Sequence, residues 1–295
     1  MIRVQVPATT ANVGPGFDAL GIALDLYNVF YMEEIDSGLI IEGVDEEFRN
    51  EDNLIYQSMV TTFEEVGYKP KGIKIKVESN IPVSRGLGSS ATCIVGGIMG
   101  ANALAGNVLD KYDILKIATE IEGHPDNVAP CIFGGMVTSI YDKGEIHYSK
   151  IPVKNDYSFC PIIPDFKLST SEARGVLPEV VDYKNAVFNV GRVALLISSL
   201  VNGEDELLAL ACDDVLHQPY RGGLIRDYDN IVNAVKEAGV KGVFLSGAGP
   251  TIMTIVREND DYIKIMNDYV SMLEDNWIMK DLKIDNEGAL VEEVV

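Results

Sequence analysis

The feature that most restricts this chain is a glycine loop set between a strand and a long uncharged helix. Residues Gly72–Glu78 alternate Ile73, Ile75 and Val77 with Lys74, Lys76 and Glu78, the period of a half-exposed strand in an antiparallel or mixed sheet. The loop Pro82-Val-Ser-Arg-Gly-Leu-Gly-Ser-Ser-Ala-Thr92 follows, and no charge occurs from Gly86 to Leu109. Interruptions by Gly, Ser, Thr and Asn make that stretch a buried helix rather than a membrane span. Gly86 and Gly88 admit backbone angles other residues resist, and Ser89, Ser90 and Ala91 open a helix whose free N–H groups and dipole favour an anion. Two adjacent hydroxyls there reach far enough for a magnesium ion. A Walker A loop is excluded, because no Lys follows the last glycine. Gly86-x-Gly88-x-x-Ala91 meets the loose dinucleotide fingerprint, with Asp110 as a ribose acid. The strand before it, however, is half-polar and stops well short of the first glycine. By itself the loop is open to two readings: an anion cradle, or a tight turn packing a helix onto a sheet.

The rest of the 295 residues reads as α+β in two domains. Strands are expected at Ile2–Val6, Tyr27–Ile35 and Leu39–Gly43, then a helix over Asn53–Val66 with Asn53 as its cap. Helices near 90–105 and 110–121 and strands near 134–141 and 144–150 complete the first half. Ile151–Asp165 carries Pro152, Pro161 and Pro164 and a polar break, so the domain boundary is drawn there, giving 1–153 and 154–295. The second half reads as a strand, helices over Tyr183–Val201, Glu204–Ala211 and Asn230–Ala238, and a strand over Gly242–Leu245. A glycine turn, a strand over Thr251–Val256, a helix over Asp260–Met272 and a strand near 278–284 follow.

Composition narrows the function. Apolar residues at 47% and charged ones at 23% fit an ordinary globular protein. The 24 basic against 45 acidic residues give a net charge of −21, which repels phosphate backbones and sets aside nonspecific nucleic-acid binding. Cys93, Cys131, Cys160 and Cys212 form no CxxC pair and have only His124, His147 and His217 for company, so no zinc site is expected. The N-terminus reads as a strand without a signal-peptide core, and a cytoplasmic protein with no membrane partner is expected.

Two further segments decide between the readings of the loop. Pro7-Ala-Thr-Thr-Ala-Asn-Val-Gly-Pro-Gly-Phe-Asp18 crowds Thr9, Thr10, Asn12 and Asp18 into a turn after the first strand, and Phe244-Leu-Ser-Gly-Ala-Gly-Pro-Thr251 joins two apolar strands through glycines. With Glu122-Gly-His-Pro-Asp-Asn-Val-Ala-Pro130 and His217-Gln-Pro-Tyr-Arg221, these segments resemble, in order, those of the GHMP small-molecule kinases, and among them those of the homoserine kinase branch. The resemblance runs from end to end of the chain. It implies an N-terminal domain similar to ribosomal protein S5 domain 2, a ferredoxin-like C-terminal domain, and a site between them that phosphorylates L-homoserine with ATP and Mg²⁺ in threonine biosynthesis.

By that resemblance Pro82, Val83, Ser84, Arg85, Gly86, Leu87, Gly88, Ser89, Ser90, Ala91 and Thr92 cradle the nucleotide. Ser90 and Glu122 would hold the metal, with Glu120 ranked second. Asp18 would take the substrate ammonium and Arg174 and Arg221 its carboxylate, while Asn12, His124, Asn127 and Thr170 position the rest. Glu122, Asn127 and Arg174 are the residues expected to act in catalysis. The proton acceptor stays open: Asp126 is either a base or a cap of the following helix. The turn at 246–250 is expected to pack behind the phosphate loop, and relatives' habit of pairing carries over as an expected homodimer. Two alternatives remain, a kinase of another small alcohol and a non-catalytic sensor.

Overall fold

The computed structural model describes residues 1–154, 156–257 and 260–294. The first half runs β1 (Ile2–Ala11), β2 (Leu20–Glu34), β3 (Gly38–Glu42), α1 (Leu54–Val66), β4 (Gly72–Glu78), α2 (Ser89–Leu104), α3 (Lys111–Glu122), α4 (Pro125–Phe133), β5 (Met136–Asp142) and β6 (Glu145–Ile151). The second half runs β7 (Tyr157–Pro164), α5 (Thr170–Gly175), α6 (Tyr183–Asn202), α7 (Asp205–Ala211), α8 (Gln218–Gly222), α9 (Tyr228–Glu237), β8 (Gly242–Leu245), β9 (Ile252–Arg257), α10 (Asp260–Val270), β10 (Trp277–Met279) and β11 (Leu290–Glu293).

Seven strands form the first sheet, in the order β11-β1-β2-β4-β3, with β5 on the other half of β2 and β6 beyond it. Among the described residues, β3 and β4 alone pair in parallel. The 15-residue β2 bridges the sheet: Val29–Glu34 pairs with β4, Leu20–Ile22 with β5. The second sheet is antiparallel, β10-β7-β9-β8. Because β11 pairs with β1, the end of the 154–295 segment lies in the first sheet. The Pro-rich stretch 151–165 divides between two elements: Ile151 closes β6, and 157–164 is the fully buried β7.

Several elements differ from their sequence reading for local reasons. β1 continues five residues past Val6, because the β1–β2 register shifts at Pro7/Ala8 and the ladder absorbs a residue without an N–H. β2 starts at Leu20 because Leu20–Leu24 is buried on both faces and shows no alternation. α4 contains Pro130, and α5 and α8 have six and five residues, too few to show a helical period. Asn53 caps α1 as expected, its side chain accepting from the N–H groups of Ile55 and Tyr56.

Three apolar clusters hold these layers. Helices α1–α4 cover the first sheet through Phe30, Ile55, Met59, Ile75, Ile98 and Leu115. One face of the second sheet packs on α9 and α10 through Ile231, Val235, Tyr262 and Met266. Its other face, with Phe159, Met253 and Ile255, meets Leu20, Ile22 and Leu24 of β2, Leu87 of the glycine loop, and Leu196 and Leu200 of α6. The two halves therefore share a core, which fixes the loops of one against those of the other. The uncharged α2 is buried from Ala91 through Asn102 except at the half-buried Cys93. Among the described residues α6 alone is long and apolar enough to cross a membrane, and here Leu196 and Leu200 seat it in the shared core.

Helices α1 and α2 pack at close range because Gly97 has no side chain; a Cβ there would lie 2.4 Å from the Ile55 carbonyl oxygen. Gly97→Ala is expected to force the two helices apart and cost about 1–3 kcal/mol. Urea unfolding checks this, since an unchanged midpoint means the contact relaxes freely.

Candidate active site

The glycine loop is held open from behind. Gly86 and Gly88 have φ of 79° and 69°, in the left-handed region. A Cβ on Gly86 would lie 2.3 Å from the Ser246 carbonyl oxygen, and one on Gly88 2.0 Å from Thr9 Oγ1. The turn 246–250 packs against the loop as expected. Ser246 Oγ donates to Gly86 O at 2.6 Å, Thr10 Oγ1 lies 2.7 Å from Ser246 Oγ, and Thr251 N–H donates to Arg85 O. Gly88 caps α2 with no side-chain hydrogen bond, so the first-turn N–H groups of α2 stay available to an anion.

In front of the loop lies a cavity of about 340 Å³. Val83–Gly86 and Gly88–Ser90 line it, with Glu122, Asn127 and Thr170 near the phosphate end. Leu87, Ala91 and Thr92, expected in the cradle, are buried behind it. Arg85 is turned away: its guanidinium donates to the carbonyls of Val83, Pro164 and Asp165 and anchors the loop to the end of β7. The far end is lined by Val44, Phe48, Asn53, Leu54 and Val77, and Cys93, one turn past Ser90 on α2, also borders the cavity. No sequence signal marked those residues, because they come from the β3–α1 connection and from strand and helix faces brought together only by packing. Burial pushes the Cys93 thiol up to about 11.

Ser90 Oγ donates to Glu122 Oε2 at 2.9 Å, so the two residues expected to hold a metal meet. Burial raises the Glu122 pKa, opposed by the Ser90 hydrogen bond and by His124. Glu120 is exposed. Among the described residues no three His, Cys, Asp or Glu side chains gather as a metal cage. One hydroxyl and one carboxylate oxygen suit Mg²⁺, which takes few protein ligands and completes its shell with phosphate and water oxygens.

Beyond the phosphate end the charged residues converge. Arg174 forks onto Asp18, with Nη1–Oδ2 at 3.1 Å and Nη2–Oδ1 at 2.9 Å. Asn12 is buried; its Nδ2 donates to Gly247 O and its Oδ1 accepts from Asp18 N–H, so it holds Asp18 rather than facing the cavity. Arg221 is 1% exposed and donates to Ala173 O and Gly247 O. Burial and then the neighbouring Arg174 push its pKa down. Asp214, which sequence reasoning did not single out, accepts from the N–H groups of Leu216, His217 and Gln218 and so positions α8, the helix that carries Arg221.

Asp126 neither caps α4 nor faces the cavity. It is 2% exposed and accepts from His124 Nδ1 at 2.7 Å. That hydrogen bond raises the His124 pKa, against the effect of burial. Thr9 Oγ1 donates to Asn127 Oδ1 at 2.7 Å and Asn127 Nδ2 donates to Asp126 Oδ1 at 3.5 Å, which fixes the amide where it borders the cavity. Thr170, the first residue of α5, lines the same cavity.

A phosphate loop opening onto a compartment with fixed positive and negative charge marks a class, the small-molecule kinases. Residues 53–135 match the family described as GHMP kinases N terminal domain, and residues 194–270 that described as GHMP kinases C terminal. A homoserine kinase of Clostridium botulinum (strain 657 / Type Ba4) is 54% identical over 292 residues, covering 99% of this chain and 98% of its own. One from Clostridium beijerinckii (strain ATCC 51743 / NCIMB 8052) is 49% identical over 295 residues, with 99% of each chain covered. The crystal structure of homoserine kinase from Cytophaga hutchinsonii ATCC 33406 superposes with a TM-score of 0.88 at 29% identity, covering 99% of this chain and 97% of that one. The chain belongs to the GHMP kinase family, within its homoserine kinases.

Gly88→Val is expected to weaken ATP binding roughly tenfold or more, since a β-branched residue at that φ costs on the order of 1–3 kcal/mol of strain. Titration calorimetry checks it, and unaltered affinity would remove the cradle role. The His124 contribution has a definite pH sign. A raised folded pKa stabilises fully below the unfolded value, about 6.5, and the effect is lost as pH rises through the folded value. His124→Gln should therefore destabilise at pH 5.5 and approach wild type at pH 9 in urea unfolding.

Proposed function

We propose that this protein transfers the γ-phosphoryl group of ATP to the side-chain hydroxyl of L-homoserine, forming O-phospho-L-homoserine and ADP on the way to threonine. The observation that carries this reading is the Asp18–Arg174 fork with Arg221 beside it, next to the phosphate loop. A zwitterionic amino acid suits that compartment. Its ammonium takes Asp18 and its carboxylate takes the freed Arg174 together with Arg221, so one internal ion pair gives way to complementary pairs at both ends of the substrate.

The loop's backbone N–H groups and the α2 N-terminus hold the phosphates, and the apolar far end of the cavity takes the base. A magnesium ion held by Ser90 and Glu122 would supply positive charge against the β- and γ-phosphates. Asn127, fixed by Thr9, orients the attacking hydroxyl, and His124, fixed by Asp126, bounds its compartment. A new bond from the hydroxyl oxygen to phosphorus forms as the bond to ADP breaks. In a loose transition state the hydroxyl proton leaves late, so positioning outweighs basicity. The four cysteines are free thiols, in keeping with a reaction in the cytoplasm.

Coupled ADP release with MgATP tests the substrate. Turnover is expected with homoserine and not with mevalonate, galactose or phosphomevalonate; turnover of one of those instead would overturn the assignment. Arg174→Lys should raise the KM for homoserine roughly tenfold through loss of the paired contact, with the KM for ATP unchanged.

A further inference from the structure

Phe17 sits between the Asn12–Gly16 turn and Asp18, and its ring touches three groups of related chemistry. His217 stacks on it, with centroids 5.1 Å apart and planes at 24°. Arg221 Cζ lies 5.0 Å from the ring centroid and Arg174 Cζ 5.8 Å, both within range of the ring quadrupole. The His217 ring is itself fixed, with Nε2 at 2.8 Å from Gly14 O and its backbone N–H on Asp214.

Two guanidiniums this close repel each other. Only Arg174 has a carboxylate within ion-pair distance, namely Asp18. Arg221 is buried with two backbone carbonyls as its hydrogen-bond acceptors. A fixed carboxylate beside it would hold it in place and also compete with the substrate; an aromatic face attracts the cation without occupying the N–H groups that Ala173 O and Gly247 O do not already take.

We propose that Phe17 is a positioning residue for the phosphoryl acceptor, its ring holding Arg221, which has no carboxylate partner, beside the Asp18-paired Arg174 for an incoming carboxylate. The proposal rests on the reading of the acceptor as an amino acid. It separates the acceptor pocket from the nucleotide pocket: Phe17 acts on carboxylate recognition and on nothing at the glycine loop.

Steady-state kinetics on the full chain test it with two acceptors, homoserine and 3-aminopropan-1-ol, which keeps the amine and hydroxyl and lacks the carboxylate. Phe17→Leu keeps an apolar side chain and removes the ring face. It is expected to raise the KM for homoserine about three- to tenfold, leave kcat and the KM for ATP in place, and leave kcat/KM for 3-aminopropan-1-ol unchanged. Phe17→Tyr should restore the homoserine KM. An unaltered homoserine KM in Phe17→Leu overturns the proposal, as does an equal loss on both acceptors or no rescue by Tyr. Wild-type protein inactive on homoserine overturns the substrate reading and the proposal with it, whereas active wild type with an indifferent Phe17 overturns the proposal alone.

Discussion

The Ser246 hydroxyl, buried between three segments, is the contact on which the site depends. It donates to the Gly86 carbonyl, and the Thr10 hydroxyl reaches it from the end of β1. Glycine loop, first strand and the β8–β9 turn meet at that oxygen, from positions 10, 86 and 246 of the chain. A side chain at Gly86 would collide with the Ser246 backbone, so the close approach depends on the missing Cβ as much as on the hydroxyl. A loop with three residues at positive φ, Ser84, Gly86 and Gly88, is held in one conformation because its neighbours leave it no alternative. That rigidity lets backbone N–H groups serve as an anion cradle without reorganising at the moment of transfer.

Electrostatics work against the overall charge. At −21 the surface repels a nucleotide, and in the proposed reading binding relies on local groups: the α2 N-terminus, the loop amides and a metal that Ser90 and Glu122 would hold. The acceptor compartment follows the same logic with opposite charges kept in contact. Asp18 and Arg174 neutralise each other while the site is free, and each has a complement on a zwitterion. Arg221 has no such partner and is held by burial, two carbonyls and the Phe17 ring.

Much of this was legible in the chain. The alternation of Gly72–Glu78, the Asn53 cap and the glycine loop leading into α2 are local patterns and appear where expected. Two of the elements misjudged, β1 and β2, share one cause, a tertiary neighbour replacing a local rule. β1 runs through Pro7 because a bulge accommodates it, and β2 runs through Leu20–Leu24 because both its faces are covered. Among site residues, Ser90 with Glu122 and Asp18 with Arg174 could be named from their segments. Asn12, Arg85 and Thr92 sat in the same segments, yet their side chains brace the scaffold.

By itself the sequence determined where the chain turns, which backbone stretch lacks side chains for a phosphate to approach, and which residue types the acceptor pocket has to offer. These depend on φ preference, hydrophobic period and chemical type, all properties of a few consecutive residues. Only the tertiary structure decided which way those side chains point. Arg174 meets Asp18 across 156 residues, Asp126 lies behind His124, and the base end of the cavity is assembled from elements that share no segment. A side chain's partner is set by what packing brings within a few ångströms, and packing joins residues whose separation along the chain carries no record of the contact.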